Sequence, residues 1–413
     1  MSKQQYDLVI FGATSFVGQI TARYLANHIA EHQLSVRWAI AARSEQKLKA
    51  SLPELAGQVD CLVADANSDE DMQALAASTR VVISTVGPYA LYGEALVKAC
   101  VANGTDYCDL TGETQWIKKM MDLYQTQAEQ SGARLVNCCG FDSVPSDMGV
   151  YALQRAFNAK YGRTATKVKL GVKRIKGGLS GGTYASLLNV MVEASRDPAI
   201  NKLMKNPYSL CPQGHPFKLR QHFVAGPSYD KHHKAWTAPF VMAAINERIV
   251  HKSNACTGAS YGDNFQYHEA MLMGDGFAGR MRAWSFSMGL GLFMLGVSIP
   301  FTRGLLSQFV LPKPGEGPSP EEQLNGFFDM RLVAYENDVD KLAVKVTGDR
   351  DPGYGSTAKM LGQAGLSLLQ DYHADSAKLG NKGGFWTPAS MFDQRYIDRL
   401  RQFAGVNIDV LES

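Results

Sequence analysis

The sequence lacks a strong excess of charge and any block of like charges. Its 413 residues carry 42 lysines and arginines against 39 aspartates and glutamates, a formal net charge of +3. A nucleic-acid-binding surface needs a concentrated basic patch, so nucleic acid is excluded as an expected partner. A hydrophobic fraction of 45% and a charged fraction of 20% are typical of globular proteins.

The sequence also lacks the cysteine patterns of secreted and zinc-binding proteins. Seven cysteines, an odd number in a long chain, predict free thiols in a reducing compartment, and we expect a cytoplasmic protein. Cysteine and histidine residues do not follow the spacing of a zinc site, so no metal is predicted. The polar stretch from Met1 to Gln5 gives no indication of a signal peptide.

What the sequence does have, close to its N-terminus, is a strand, a glycine turn and a helix start. Leu8 to Phe11 is an apolar run typical of a buried parallel strand. Gly12 allows a tight turn, and the free N–H groups of the helix start favour an anion. A dinucleotide cofactor is therefore predicted, with an ordinary β–turn–α unit as an equal alternative because Ser15 replaces the middle glycine. The predicted residues here are Gly12, Thr14, Ser15, Phe16, Val17 and Gly18.

The second predicted strand, Val36–Ala42, favours NADP over NAD. It ends in Arg43 and Ser44, where an NAD site usually has an acidic residue and an NADP site an arginine. A guanidinium can bind the 2′-phosphate through two parallel hydrogen bonds, assisted by Ser44 and Lys47. A surface arginine after a strand is the alternative, but its coincidence with the glycine turn makes NADP the better interpretation.

Two further predicted strands end where the cofactor should lie. Val59–Ala64 leads to Asp65, which we expect beside the adenine ring. Val81–Val86 leads into a turn, Thr85–Tyr89, which we expect to cover the pyrophosphate and nicotinamide side. A plain Gly-Pro turn is the alternative. The residues assigned to the cofactor from these strands are Asp65, Thr85, Val86, Gly87 and Pro88.

Strand and helix signals alternate up to about Asn137, which predicts an N-terminal doubly wound parallel sheet of the Rossmann type in an α/β protein. Later segments such as Arg331–Glu336 and Leu342–Thr347 read as antiparallel strands, so we expect an α+β second domain with a mixed or antiparallel sheet. The predicted boundaries are 1–147 for the Rossmann domain, 148–350 for the second domain, and 351–413 for a C-terminal segment.

One stretch, residues 283–302, contains no charged side chain between Arg282 and Arg303. Twenty such residues are long enough to span a bilayer, but the stretch holds three glycines, three serines and Pro300. Three interpretations follow, in order of preference: a buried core or homodimer-interface segment, a peripheral membrane contact, and a transmembrane helix.

Seven motifs along the chain occur together: Gly12–Gly18, Thr85–Tyr89, Tyr107–Glu113, Cys139–Asp147, Ser180–Thr183, Asp351–Met360 and Gly384–Ala389. This combination resembles one family, the saccharopine dehydrogenase-like oxidoreductases, in the branch of the trans-acting enoyl reductases. The resemblance spans nearly the whole chain and implies a second α/β domain that covers an NAD(P) cofactor. It also implies that a helix from Thr357 to about Leu369 returns to the first domain.

Catalytic residues are expected near the nicotinamide, where the protein must place the substrate and manage one proton. Tyr89 is a candidate donor, with ring packing as the equal alternative. Asp142 and Ser143 follow a strand at the domain junction and are the other candidates. Asp109 and Glu113 could face the substrate, although Glu113 could equally cap the following helix. Asp147 is expected in the first turn of a helix.

The sequence favours an NADP-dependent reductase of a carbon–carbon double bond, or of a related carbonyl or imine, in a lipid-like or polyketide-like substrate. A saccharopine-type dehydrogenase acting on a C–N bond is one alternative, although no convincing pair of arginines for an amino-dicarboxylic substrate is found. A non-catalytic protein that binds NADP or docks on membranes is the other.

Overall fold

The computed structural model describes residues 4–178, 181–299, 302, 317–336, 340–372 and 382–411. Its strands are β1 (Tyr6–Phe11), β2 (Trp38–Ala42), β3 (Asp60–Val63), β4 (Thr79–Ser84), β5 (Asp106–Asp109), β6 (Arg134–Val136), β7 (Lys167–Lys176), β8 (Ser228–Asp230), β9 (Ala235–Pro239), β10 (Gln266–Gly274), β11 (Phe327–Glu336), β12 (Asp340–Gly348), β13 (Gly384–Trp386) and β14 (Val406–Leu411).

The helices connect these strands, and the longest lie in the α/β units and in the second half of the chain. They are α1 (Phe16–Glu31), α2 (Glu45–Ser51), α3 (Asp69–Ser78), α4 (Tyr89–Tyr92), α5 (Glu94–Asn103), α6 (Thr114–Ser131), α7 (Val144–Tyr161), α8 (Gly181–Arg196), α9 (Pro198–Lys205), α10 (Ala243–Cys256), α11 (Gly276–Ser298), α12 (Pro320–Leu324), α13 (Thr357–Ser367), α14 (Pro388–Met391) and α15 (Gln394–Arg399). Short helical turns lie at Pro53–Leu55, Pro352–Ser356, Leu368–Tyr372 and Leu400–Ala404.

The first sheet confirms the predicted Rossmann-type domain. Its strands run in the order β3-β2-β1-β4-β5-β6-β13, and all neighbours are parallel. Strand β1 lies inside this sheet between β2 and β4, and its residues Leu8–Phe11 are buried. The strand order reverses between β1 and β4, and ligands of such sheets bind in the crevice at that point.

The second sheet is mixed, as predicted. Its order is β8-β9-β10-β7-β11-β12-β14, and β7 with β10 is the parallel pair among antiparallel neighbours. Helix α7 lies across one face of the sheet. Gly149 of this helix allows close packing, since a Cβ there would lie 3.2 Å from Leu332 and Val346 side-chain atoms.

The C-terminal segment contributes to both sheets. Strand β13 pairs with β6 at the edge of the first sheet, whereas β14 pairs with β12 at the edge of the second. Helix α13 lies over the first sheet, where a Cβ on Gly365 would be 2.5 Å from Ile83. Domain boundaries drawn along the sequence do not predict that one segment supplies strands to both sheets. The boundaries at 147 and 350 stay a prediction.

Most of the uncharged stretch 283–302 lies in α11, which is largely exposed instead of forming part of the core of this chain. Ala283 and Val297 are buried, but Trp284, Met288 and Leu292 are exposed. Among the described residues, no helix has the length and apolar character needed to cross a membrane.

Candidate cofactor cleft and active site

A cleft of about 560 Å³ opens at the carboxyl ends of the first sheet's central strands, where the strand order reverses. Its lining brings together residues that are far apart in the sequence. Those predicted for the cofactor are Gly12, Thr14, Ser15, Arg43, Asp65, Thr85, Val86 and Gly87. Lys47, Ala66, Asn67 and Tyr92 also line the cleft. The cleft's volume, and its extension across the ends of four neighbouring strands, suit a dinucleotide.

The glycine turn closely follows the geometry that a phosphate site requires. Gly12 has φ +89°, and a Cβ there would lie 2.6 Å from Val86 Cγ2 and 2.9 Å from Thr85 Oγ1. A Cβ on Gly18 would lie 2.2 Å from the Gly12 carbonyl oxygen. Both positions therefore need glycine, the first for the turn and the second for contact between α1 and the turn.

Ser15, the departure from the usual glycine pattern, links the turn to the end of β4. Its Oγ accepts a hydrogen bond from the Gly18 N–H at 2.9 Å and thereby caps α1. The same hydroxyl donates to Thr85 Oγ1 at 3.1 Å, and Thr85 donates to the Gly12 carbonyl at 3.0 Å. Ser15 lacks the conformational freedom of glycine, but its hydroxyl connects the glycine turn to the turn after β4 by a hydrogen bond.

Arg43 lies at the open side of the cleft, after the buried end of β2. It is exposed, and it forms neither an ion pair nor a hydrogen bond with the described residues. Lys47 lines the same side. Ser44 holds the local backbone, because its Oγ accepts from the Lys47 N–H at 3.2 Å and caps α2. Two cations thus face an opening that the cofactor's 2′-phosphate could fill.

The remaining predicted cofactor residues lie around the cleft. Asp65 accepts from the Asn67 N–H at 3.0 Å, which forms a compact turn in the cleft wall. Phe16 contacts the Tyr354 ring edge at a centroid distance of 5.1 Å, and Val17 is buried in α1. Pro88 begins α4. Phe16, Val17, Gly18, Ser44 and Pro88 are outside the cleft's lining.

Tyr89 is buried beneath the turn that carries it. Its hydroxyl donates to the Ser84 carbonyl at 3.0 Å, and its ring lies 5.3 Å from the Trp116 ring. Burial raises the pKa of this phenol well above its ordinary value. Its assignment as proton donor stays a prediction, and the geometry resembles the ring-packing alternative more closely.

Asp142 is partly exposed between two buried neighbours, Phe141 and Ser143. It lies in the turn after β6, beside Gly112 and Gly140, whose added Cβ atoms would be 3.6 and 3.1 Å from its carboxylate oxygens. Burial, followed by the charge of Asp109, raises the pKa of Asp142 to about 7. A carboxyl group whose pKa is raised this far can keep a proton close to neutral pH and donate it there.

Ser143 is a less accessible candidate. Its buried hydroxyl donates to Asn246 Oδ1 at 3.0 Å, and the Asn246 amide donates to Glu269 Oε2 at 2.9 Å. This chain of hydrogen bonds joins the turn after β6 to the second sheet. The hydroxyl therefore positions the turn that carries Asp142.

Two other carboxylates hold the turns that carry Cys138 and Tyr89. Asp109 accepts from the Cys138 N–H at 3.0 Å and the Asn137 amide at 2.8 Å. Glu113 accepts from the Tyr89 and Ala90 N–H groups at 2.9 and 2.8 Å. Glu113 is the N-cap residue of the following helix, α6, as the sequence suggested, but its side chain makes no capping bond there and instead caps α4. The capped helix lies earlier in the sequence, and only the fold brings the two together.

Asp147 lies in the first turn of α7, as expected, but it also joins three elements. It accepts from the Ser253 hydroxyl of α10 at 2.6 Å and from the Ala389 N–H of α14 at 2.8 Å. Burial raises the pKa of Asp147 to about 7. The contacts with Ser253 and Ala389 join residues more than 100 positions apart, so the sequence around Asp147 does not predict them.

Sequence reasoning missed the buried polar face of α10. Glu247, Arg248 and Lys252 are all buried, and the Lys252 amine has no hydrogen-bond partner among the described residues. Burial, then the charge of Glu269, raises the pKa of Glu247 to about 8. A helix with charges at adjacent positions normally indicates exposure to solvent, so the sequence offered no signal for this burial.

The second sheet has a separate cavity of about 380 Å³ lined by Lys169, His222, Asp230 and His268, among others. Lys169 pairs with Asp230 at 2.7 Å. Within the described residues, no group of three or more histidine, cysteine, aspartate or glutamate side chains is arranged to hold a metal ion.

Known proteins that are similar to this chain agree with the assignment of the cleft to a cofactor. Residues 8–136 match the family model described as the saccharopine dehydrogenase NADP binding domain. A Mycobacterium tuberculosis H37Rv protein that is provisionally named a trans-acting enoyl reductase is 38% identical to this chain. The match covers 98% of this chain and 97% of that protein. The trans-acting enoyl reductase of Mycobacterium ulcerans Agy99 is 34% identical over 97% of each chain.

Two solved structures share the fold of the whole chain. Saccharopine dehydrogenase (L-Glu forming) from Saccharomyces cerevisiae superposes with a TM-score of 0.52 at 14% identity and covers 98% of this chain and 99% of its own. Homospermidine synthase from Legionella pneumophila, in complex with NAD, has a TM-score of 0.51 at 11% identity, with 99% and 92% covered. At these identities the likeness concerns the fold alone. The chain itself belongs to the saccharopine dehydrogenase-like oxidoreductases, in the trans-acting enoyl reductase branch, and is an NADP-dependent oxidoreductase.

Proposed function

We propose that this oxidoreductase reduces a carbon–carbon double bond next to a carbonyl group in a lipid-like or polyketide-like substrate, and that Asp142 supplies the proton. The observation that carries the proposal is the partly exposed Asp142 carboxyl group with a pKa of about 7 at the junction of the two sheets. The names of the mycobacterial relatives support the enoyl substrate class.

The chemistry divides between cofactor and protein. Bound NADPH would supply a hydride to the carbon atom remote from the carbonyl group. Negative charge then develops on the substrate, and the protonated Asp142 can donate to the adjacent carbon. Asp109 and Glu113 hold the surrounding turns in place through the backbone N–H groups they bind. Such positioned acid catalysis contributes typically about 10²- to 10⁴-fold in rate.

The electrostatic surroundings make a saccharopine-type C–N dehydrogenase the weaker candidate. An amino-dicarboxylic substrate needs cationic partners, yet the ionisable side chain that most influences Asp142 is another carboxyl group, Asp109. Tyr89 is influenced by the carboxyl groups of Asp109, Asp142 and Glu113. These carboxyl groups would repel the two carboxylates of such a substrate but not an uncharged acyl group. The buried Lys252 amine, which interacts with the charge of Asp109, is a cation in the same region.

The test is a comparison of wild type with Asp142→Asn under NADPH. We expect wild type to oxidise NADPH with enoyl thioesters and not with 2-oxoglutarate plus an amino acid. The variant should bind NADPH with unchanged fluorescence quenching but turn over about 10²-fold or more slowly. NADPH binding without oxidation across enoyl, carbonyl and imine substrates would instead support a non-catalytic protein and refute the reductase.

Two further parts of the proposal concern the protein's surroundings. A reducing, cytoplasmic location is supported by the free state of all seven cysteines. Exposed helix α11 is the proposed contact surface, for which a homodimer and a peripheral membrane contact are the alternatives. The pattern of its side chains distinguishes between them.

A further inference from the structure

The exposed side of α11 carries a narrow apolar stripe. Seven large apolar residues, each 44% to 78% exposed, follow one another at intervals of 4, 3, 4, 4, 3 and 4 positions. At 3.6 residues per turn they fall within an arc of about 80°. Six of them lie in α11, namely Phe277, Met281, Trp284, Met288, Leu292 and Leu295, and the seventh, Ile299, is the residue that caps its C-terminal end. We call these residues the α11 stripe.

The opposite side of α11 packs on its own chain. Gly279, Ala283 and Val297 are buried there, and the helix contacts β9, β10 and α8. Phe286, on the same side, is 40% exposed. Small or polar residues such as Ser285, Gly289 and Gly291 flank the stripe. A narrow seam between small residues is typical of a surface that receives another helix, because backbones can approach closely beside it.

The spacing of the stripe is symmetric about its middle residue. Counted from Met288, the other members lie 4, 7 and 11 positions before it and 4, 7 and 11 positions after it. Two copies of α11 placed antiparallel about a two-fold axis at Met288 would therefore bring every stripe residue opposite another. Trp284 would face Leu292, and Met288 would face itself. An isologous interface needs this kind of self-complementarity.

We propose that the α11 stripe is the interface between two copies of this chain. The seven side chains expose on the order of 800 Å² of apolar surface, given 150–250 Å² for each aromatic ring, which is about one partner's share of a standard interface. A monomer's largest apolar patch is usually about 300–600 Å². The patch is thus large enough for a stable dimer.

Charge does not oppose the pairing of the two stripes. Gly276–Ser298 contains no acidic residue, and its two arginines lie to the side of the stripe with contacts on their own chain. Arg280 stacks over the Trp236 ring at 5.5 Å, and Arg282 Nε donates to the Ala278 carbonyl at 3.3 Å. The seven stripe residues therefore meet no charge within the stripe itself. The interface does not depend on which substrate is reduced.

The first test uses the residue on the proposed axis. Met288→Arg places two like charges opposite each other in an apolar seam, so we expect the dimer dissociation constant, measured by analytical ultracentrifugation, to rise roughly 100-fold or more. Leu123→Arg is the matched control, since Leu123 is 50% exposed on α6 outside the stripe. The control should leave the dissociation constant unchanged.

The second test reads the direction of pairing from cysteine cross-links. A mixture of Trp284→Cys and Leu292→Cys protomers should form a disulfide-linked heterodimer. Trp284→Cys alone should not, because the two copies of residue 284 would be about 12 Å apart along the axis, beyond disulfide reach. Wild type controls for the partly exposed Cys61 and Cys256.

Several results would overturn the proposal. These are a monomer at micromolar concentration, a dimer that Met288→Arg leaves intact, and cross-linking of Trp284→Cys with itself. A monomer whose tryptophan fluorescence shifts on phosphatidylcholine–phosphatidylglycerol vesicles, with the shift lost in Trp284→Phe, would assign the stripe to a lipid surface instead.

Discussion

Replacing Arg43 with alanine should weaken the binding of NADPH but not that of NADH. Arg43 is exposed at the edge of the cleft with no acidic partner among the described residues, so its guanidinium is available for the phosphate that distinguishes NADP from NAD. A hydrogen bond to a charged group contributes about 1.5–3 kcal/mol. Solvent weakens this in an open cleft, so we expect a loss of about 1–2 kcal/mol, or roughly 5- to 30-fold in affinity at 1.36 kcal/mol per factor of ten.

The assay is titration of wild type and Arg43→Ala with NADPH and with NADH, followed by nicotinamide fluorescence or calorimetry. The dissociation constant for NADPH should rise and that for NADH should not, because NADH lacks the 2′-phosphate. The NADPH affinity of the variant should also lose much of its dependence on salt concentration. Lys47, on the same side of the cleft, should account for part of the remaining preference.

A matched control is Arg37→Ala, at the other end of β2, where the arginine pairs with Asp7 at 3.2 Å and does not line the cleft. It should change neither cofactor's affinity. Equal weakening of NADPH and NADH by Arg43→Ala, or no weakening at all, would refute the role of Arg43 in binding the 2′-phosphate.

Three further predictions concern the cleft and the active site. Gly12→Ala should abolish binding of both cofactors in the same titration, because the added Cβ would lie 2.6 Å from Val86 at a positive φ; wild-type affinity would show that the turn does not hold phosphate. Ser15→Ala should cost about 1 kcal/mol of unfolding free energy, measured by urea denaturation, and weaken NADPH and NADH alike, because it removes the cap of α1 and the bond to Thr85; selective loss of NADPH would contradict this. The reduction rate should fall as pH rises through about 7, since Asp142 must be protonated to donate, and a profile that Asp142→Asn leaves unaltered in shape would exclude it as the donor.

The sequence was sufficient for the parts of the site that are local. Gly12, Ser15 and Gly18 lie within one turn, and their roles follow from φ angles and short side chains. Arg43 and Asp65 could be placed because the carboxyl ends of parallel strands meet at one edge of a sheet. The alternation of strand and helix signals likewise predicted the parallel first sheet, and the patterns of Arg331–Glu336 and Leu342–Thr347 predicted antiparallel strands of the second.

Features that depend on distant contacts could not be predicted. The bond from Ser143 to Asn246 spans 103 positions, and nothing near either residue indicates it. Glu113 caps a helix that precedes it, because folding places β5's loop beside α4. The buried charges of α10 resemble a solvent-exposed pattern, since the periodicity of a sequence reports average polarity and not the partners available inside a fold.

The division of the C-terminal segment between two sheets has a consequence for how the chain folds. The first sheet has its edge strand β13 and its covering helix α13 supplied by residues more than 200 positions after β6. Until that segment arrives, the apolar side chains of Leu8 and Ile83 beneath Gly365 lack their cover. Loop closure over such a distance is entropically costly and slow. The Rossmann unit and the second sheet should therefore unfold in a single transition, as is also expected because one hydrophobic core contains buried residues of both sheets.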